Sequence, residues 1–303
     1  MKHAPTVLAL AFASILTGCG PRARVAAGGT AGPYTGPTQT MAEVVNEINA
    51  NNGALPTLWA RHYFEANLVD ADGRRQFVNG EGVLLYKQPR GMRLVGTKAA
   101  AGNVFEIGSD EERYWLSMTP PNDRSRMWWG WYRNLGKPCV DTRSLPIRPD
   151  LVLQVLGVAT IDTNFMAPPV PTMRFNGDPN ADAYVFVWNV PLGDRWAAQK
   201  EIWYDRATKR PRLVVLFDDH GRVVLRARLL NHRRLEIDGV PPERSPEVAR
   251  RYELFFPDTG STMTFDLDEV APERRGVPTR RGIAFPENPK VDEVIQLDEA
   301  CAD

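Results

Sequence analysis

The chain has 303 residues, and its 37 Lys and Arg residues balance 37 Asp and Glu residues. With 43% hydrophobic residues it has the composition of a globular protein, which excludes a disordered chain and a general nucleic-acid-binding surface. Behind an N-terminal segment, roughly 265 residues can bury one substantial core, so a single domain accounts for them.

The N-terminal segment has the organisation of a secretory signal. Lys2 precedes an apolar run, Val7–Leu16, that is too short to span a bilayer. The run ends in Leu16-Thr17-Gly18-Cys19, which resembles the lipobox of bacterial lipoprotein signal peptides. We therefore expect residues 1–18 to be removed and the Cys19 thiol to carry the lipid. The alternative is an ordinary signal peptide that is cut elsewhere.

Residues 19–38 determine how the protein is held at the membrane. Their Gly, Pro and Thr content is typical of a flexible tether. Acyl chains on Cys19 would anchor this tether stably. In Gram-negative lipoproteins an Asp after the cysteine tends to retain the protein at the inner membrane. Gly20 stands there instead, which favours the outer membrane, with the domain facing the periplasm.

Residues 39–303 are predicted to form the folded domain, beginning with a short helix. Thr40-Met41-Ala42-Glu43 fits a capping box, and Asn51-Asn52-Gly53 supplies a stop signal. Alternating apolar and polar residues then predict strands, separated by connections too short for crossover helices. These strands are Leu58–Val69, Phe77–Lys87, Met92–Thr97, Val104–Gly108, Arg113–Met118 and Ser125–Arg133.

A second helix is predicted in the middle of the chain, where Pro149 suits a first helical position and Leu151, Val152, Val155 and Leu156 form an apolar stripe. Strands resume at Ala183–Val190, Lys200–Asp205, Leu213–Phe217, Val223–Leu230, Tyr252–Phe256 and Thr262–Leu267. The predicted fold is mainly β (α+β): an incomplete antiparallel β-barrel of about eleven to twelve strands with two lid or plug helices. The weakly patterned tail, residues 274–303, is expected to wrap the sheet edge.

The chain contains no motif typical of an enzyme or a metal site. His62, His220 and His232 lack metal-ligand spacing, and neither a nucleophile elbow nor a phosphate-binding loop is present. His220 follows Asp218 and Asp219, a pattern that suits a hairpin turn better than acid/base chemistry. We therefore expect no catalysis, no metal and no cofactor.

Residues 127–132, Met-Trp-Trp-Gly-Trp-Tyr, place large apolar surface on both faces of one strand. The second face could be covered by the helix at 149–156 or by the tail. It could equally be covered by a lipid acyl chain or lie in a membrane interface. We interpret the cluster as a cavity wall, and the candidate ligand-cavity residues are Phe64, Trp115, Trp128, Trp129, Trp131, Val152, Val155 and Leu156.

Two cysteines remain after the anchor. In an oxidising periplasm Cys139 and Cys301 can form a disulfide that ties the tail to the middle of the chain. Two unpaired buried thiols are the alternative, because sequence spacing does not determine the distance between the two Cα atoms.

The order of these elements resembles the LolA/LolB-type superfamily of outer-membrane lipoprotein carriers. The resemblance rests on Gly80–Leu94, followed by Tyr114-Trp115-Leu116, and on Ile202-Trp203-Tyr204-Asp205, Pro211-Arg212-Leu213 and Phe217–Gly221. It implies an incomplete antiparallel barrel in which helices form a lid over an apolar cavity for acyl chains. A lipid-anchored member would be closer to the LolB arrangement than to the soluble carrier.

Two functions are therefore predicted. The first is a lipid-anchored, periplasm-facing outer-membrane lipoprotein that binds or transfers acyl chains or lipoproteins in a barrel cavity. The second is a structural or interaction lipoprotein with a filled core, whose tail or aromatic hairpin docks another envelope protein.

Overall fold

The computed structural model describes residues 34–69, 72–99, 102–119, 124–135, 137, 139–141, 149–176, 182–273 and 282–301. The predicted signal peptide, Cys19 and the first part of the tether lie outside these ranges. Among the described residues, no helix has the length and apolar character needed to cross a membrane.

Helix α1 (Met41–Gly53) starts as predicted. The Glu43 amide donates to the Thr40 hydroxyl at 3.4 Å, and the Thr40 amide donates to the Glu43 carboxylate at 2.7 Å. These reciprocal bonds complete the capping box, which satisfies two amides that have no partner within the helix. The hydrogen bonds that the Thr40 amide and hydroxyl donate to the Glu43 carboxylate lower the pKa of Glu43. The helix buries Val44, Val45 and Ile48 against the sheet.

Most of the chain forms one large sheet, which is not closed. Its strands are β1 (Thr57–Val69), β2 (Arg75–Lys87), β3 (Gly91–Lys98), β4 (Gly102–Ser109), β5 (Arg113–Met118), β6 (Arg126–Trp131), β7 (Val170–Asn176), β8 (Ala183–Leu192), β9 (Arg195–Asp205), β10 (Pro211–Phe217), β11 (Val223–Leu230), β14 (Arg251–Phe256), β15 (Ser261–Ala271) and β16 (Glu293–Gln296). Two short strands, β12 (Arg233–Arg234) and β13 (Glu247–Val248), form a separate pair.

The large sheet joins two meanders. Its strand order is β16-β6-β5-β4-β3-β2-β1-β15-β14-β11-β10-β9-β8-β7. Strand β15 lies between β1 and β14 and so connects the halves, and every pairing is antiparallel except that of β16 with β6. The predicted incomplete antiparallel barrel is confirmed. The prediction omitted the two edge strands, β7 and β16.

The two faces of the sheet differ in what covers them. We call inner the face that carries Leu58, Ala60, His62 and Phe64 on β1, all of them buried. Helices α1 and α2 (Pro149–Val155) pack on this face and share its hydrophobic core. The opposite, outer face is covered in part by the tail, where the Gly282 carbonyl accepts a hydrogen bond from Arg93 and Phe285 contacts Trp115 and Trp129.

Candidate functional site

Helix α1 closes one end of the inner face. At its start the Gln39 amide donates to the Tyr184 hydroxyl at 2.9 Å, and at its end the Gln88 side chain donates to the Asn52 carbonyl at 2.8 Å. Tyr184 begins β8, and Gln88 lies in the turn between β2 and β3. The helix therefore spans both halves of the sheet. We call this the closed end.

The opposite end carries the hairpin turns between β1 and β2, β8 and β9, β10 and β11, and β14 and β15. Half-buried apolar side chains extend the core towards these turns on the inner face; they include Val78, Met118, Phe256 and Met263. On the rim Phe77 is 57% exposed and Trp196 is 60% exposed. We call this the open end, and its apolar lining favours an entrance for a hydrophobic ligand.

An aromatic cluster lies deeper on the inner face. The Phe64 ring is 5.2 Å from Phe105, and the Phe265 ring is 5.4 Å from His62, both pairs in edge-to-face geometry. His62 is fully buried, and its Nε2–H donates to the Val95 carbonyl at 3.0 Å. Burial lowers the pKa of His62 to about 4. The imidazole is therefore neutral at physiological pH and acts as part of this apolar surface.

Helix α2 lies inside the half-barrel and contacts β4, β5 and β10. Its buried apolar residues are Leu151, Val152, Leu153 and Val155, followed by Leu156 just after the helix. Gln154 lies among them and is half-buried. The interior of the half-barrel is therefore occupied by α2 in this structure.

A charged amine also reaches the inner face. Lys200 on β9 lies in register with Trp188 and Leu216, both buried in the core. Its ammonium lies 4.6 Å from the centre of the Trp188 ring and donates to the Gln154 side chain of α2. This residue was not predicted from the sequence. It could have been found from the alternation of inward and outward side chains along β9, because Lys200 falls on the same face as the buried Ile202 and Tyr204.

The structure separates the eight predicted cavity residues into two groups. Phe64, Trp128, Val152, Val155 and Leu156 belong to the inner core. Trp115, Trp129 and Trp131 lie on the outer face, so the eight predicted residues do not line one common surface. Neighbouring residues of a strand point to opposite faces, which places Trp128 and Trp129 on different sides of β6.

The tail covers two of the outer tryptophans, Trp115 and Trp129. Phe285 lies 5.5 Å from the Trp115 ring and 5.3 Å from the Trp129 ring, and the Arg113 guanidinium stacks 4.0 Å above Phe285. The Trp115 indole N–H donates to Glu106 at 3.0 Å. The surplus of aromatic surface on the outer face is thus explained by the chain itself.

The tail is also fixed at its end. Strand β16 pairs in parallel with β6, and Cys139 and Cys301 form a disulfide. The Asp298 carboxylate accepts hydrogen bonds from the Trp131 amide at 3.0 Å and from the Asn134 side chain at 2.7 Å. Together these contacts hold residues 282–301 against the edge of the sheet.

A groove of about 720 Å³ crosses the outer face of β1, β2, β3 and β15. Its two arginines are already paired, Arg61 with Asp268 at 2.8 Å and Arg93 with Glu106 at 2.9 Å.

Within the described residues, no group of three His, Cys, Asp or Glu side chains is arranged to hold a metal ion. The Asp218 carboxylate accepts the amides of His220 and Arg222, both at 2.9 Å, and so organises a turn.

No protein-family profile and no curated protein sequence matches the chain. Among solved structures, a LolA superfamily protein from Nitrosomonas europaea aligns with a TM-score of 0.50 and 13% identity, over 82% of this chain and 99% of that one. A DUF1329 family protein from Desulfovibrio piger aligns with a TM-score of 0.50 and 10% identity, over 80% and 96% of the two chains. The chain therefore has the LolA-like fold that its sequence motifs predict.

Proposed function

We propose that the protein is a lipid-anchored envelope lipoprotein that binds the acyl chains of lipids or lipoproteins on its inner face and passes them on. The observation that supports this most is the shape of the apolar surface. It runs without interruption from α1 at the closed end to half-buried side chains such as Phe256 and Met263 at the open end. Once α2 is displaced, a surface that is apolar from one end to the other suits a long hydrocarbon chain.

Helix α2 acts in this proposal as the occupant that an acyl chain replaces. A helix of seven residues is not stable alone in water, so it depends on its packing. Its contacts with the sheet are mainly apolar, supplemented by the bond from Lys200 to Gln154 and by the Tyr252 hydroxyl, 3.5 Å from the Leu156 carbonyl. Exchanging these apolar contacts for those of a lipid costs little hydrophobic free energy.

The start of the described chain supports a tethered arrangement. The Tyr34 amide donates to Asp182 at 3.2 Å, and the Arg206 guanidinium stacks 4.6 Å above the Tyr34 ring. The tether therefore leaves the domain at the closed end. Fully extended, the residues between Cys19 and Tyr34 reach roughly 50 Å, which lets the open end face either the membrane or a partner.

A second candidate is an interaction lipoprotein, and the position of α2 favours it. If α2 is a permanent part of the core, the interior has no room for lipid, and the exposed Phe77 and Trp196 would contact a protein partner instead. Absence of saturable binding of a fluorescent fatty acid to the purified domain would select this second function.

Neighbouring phenylalanines at the open end offer a matched test of the entrance. We expect Phe256→Glu, which places a charge on the inner face, to weaken binding of a fluorescent fatty acid about tenfold or more. Phe255→Glu, on the outer face of the same strand, should leave the affinity unchanged. Thermal unfolding of both variants separates binding from stability. Equal loss of affinity in the two variants would argue against an entrance between the hairpins.

The lipid anchor has its own test. Cys19→Ala is expected to release the protein from the membrane fraction into the soluble periplasmic fraction, because the predicted lipid attachment site is lost. The domain should remain folded, with the same melting temperature as the natural chain without its anchor, since the tether separates Cys19 from the core. Retention of Cys19→Ala in the outer membrane after a carbonate wash would contradict the lipobox interpretation.

A further inference from the structure

The half-buried Lys200 differs from three other cations that are buried or half-buried in the domain. Arg206 lies 3.3 Å from Asp182, Lys209 lies 3.6 Å from Glu47, and Arg93 pairs with Glu106. In the described part of the chain, the Lys200 ammonium forms no such ion pair. Its contacts there, the Gln154 amide oxygen and the face of Trp188, are uncharged.

This arrangement has an energetic cost. A buried ammonium loses the free energy of its hydration. Contacts with a neutral amide and an indole ring compensate for only part of this loss. Burial accordingly lowers the pKa of Lys200 to about 8. The amine is still mostly protonated at neutral pH, so a positive charge without a counter-charge lies beside the apolar interior. Such a site gains more from an anion than a solvated surface lysine does.

The position of Lys200 connects it to the open end. Lys200 pairs with Leu216, and Leu216 pairs with Leu225 on the next strand. Arg226, the residue after Leu225, pairs with Phe255 on the following strand. Because the two strands are antiparallel, Leu225 lies opposite Phe256, which places Phe256 in the same row as Lys200. Lys200 therefore lies at the depth of the apolar entrance, between the hairpin turns and the aromatic cluster. A ligand that enters tail first would leave its polar head at this level.

We propose that Lys200 binds the negatively charged head of a single-chain amphiphile whose hydrocarbon chain lies on the inner face. The inference rests on the proposed function and narrows it to an anionic class of ligand. The ligand oxygen takes the place of the Gln154 amide oxygen on Lys200. Because Gln154 belongs to α2, this exchange also removes one of the polar bonds that hold α2 to the sheet. Head-group binding and displacement of α2 are thereby coupled.

The test compares ligands that differ only in their head group. Hexadecanoate, hexadecyl phosphate, hexadecan-1-ol and hexadecyltrimethylammonium compete with the uncharged fluorescent probe N-phenyl-1-naphthylamine, below their micellar concentrations. For the natural domain we expect the anions to bind about tenfold more tightly than the alcohol, since hydrogen bonds to charged groups are the stronger class. The carboxylate and phosphate arms identify which anion fits.

Three variants assign the preference to Lys200. Lys200→Met should bind acid and alcohol equally, whereas Lys200→Arg should retain the preference for anions. Lys98→Met removes an exposed lysine at the end of β3 and serves as the matched control. Lys200→Met is expected to stay folded, because replacing an unpaired buried charge by an apolar side chain is neutral or stabilising.

The outcomes separate the two proposals. Equal affinity of the natural domain for hexadecanoate and hexadecan-1-ol would overturn the anion site and leave acyl-chain binding intact. A preference for anions that persists in Lys200→Met would also overturn it. Failure of every amphiphile to displace the probe, or of the probe to bind, would overturn the proposed function and the anion site together.

Discussion

Replacing both Cys139 and Cys301 by serine is expected to lower the free energy of unfolding by about 5 kcal/mol. The two residues are 162 positions apart in sequence, and a cross-link that closes so long a loop removes much conformational entropy from the unfolded chain. Urea unfolding of the natural and the double-serine domains measures the difference. The loss should appear as a lower transition midpoint.

Reduction provides the control for this experiment. The natural domain in excess reductant should unfold at the midpoint of the double-serine variant, and Cys139→Ser alone should match it. Strand β16 and the Asp298 hydrogen bonds remain in all three samples, so any stability that the tail retains comes from them. Quantitative labelling of two free thiols in the unreduced, denatured natural domain would contradict the cross-link.

The elements that could be predicted from sequence are those with local signals. The capping box of Thr40 and Glu43 and the alternation within β1 each involve residues close in sequence, so they could be read directly. Short connections likewise indicated antiparallel pairing. The position of β15 between β1 and β14 depends on contacts between distant residues, which no local pattern contains.

The two edge strands were missed for different reasons. Strand β7 starts directly after the prolines Pro168 and Pro169 and contains Pro171, so its composition suggested a loop; an edge strand tolerates proline because one of its sides is unpaired. Strand β16 has only four residues, too few for a periodic pattern. Its pairing depends on β6 and on the contacts of the tail.

The tryptophans show a different limit. Alternation alone places Trp129 and Trp131 on the face opposite Trp128, and this could have been used to divide the predicted cavity wall. What alternation cannot supply is the identity of the covering element. Phe285, which covers Trp115 and Trp129, is far away in sequence and lies in a segment without periodicity. Apolar surface on both faces of β6 therefore indicated that each face is covered. It did not indicate whether the tail or a lipid covers the second face.

The glycines of β2 explain how aromatic rings fit so close to the sheet. A Cβ atom on Gly82 would lie 1.7 Å from the Val95 carbonyl oxygen and 2.7 Å from Nε2 of His62. The missing side chain thus leaves room for the hydrogen bond between His62 and Val95. Gly80 has the same role below Phe64, whose ring carbon would be 2.8 Å from an added Cβ.

We therefore expect Gly82→Ala to lower the free energy of unfolding by about 3 kcal/mol, since it overpacks the core and disturbs a buried hydrogen bond. Gly53→Ala is the matched control, because an added Cβ at the end of α1 has no atom within 4 Å; its effect should be neutral or slightly stabilising. Urea unfolding of both variants measures the contrast. Adding His62→Ala to Gly82→Ala should not restore stability, because the Val95 carbonyl still obstructs the new methyl group. Full restoration would instead identify the imidazole as the only obstacle and would contradict the requirement for a backbone shift.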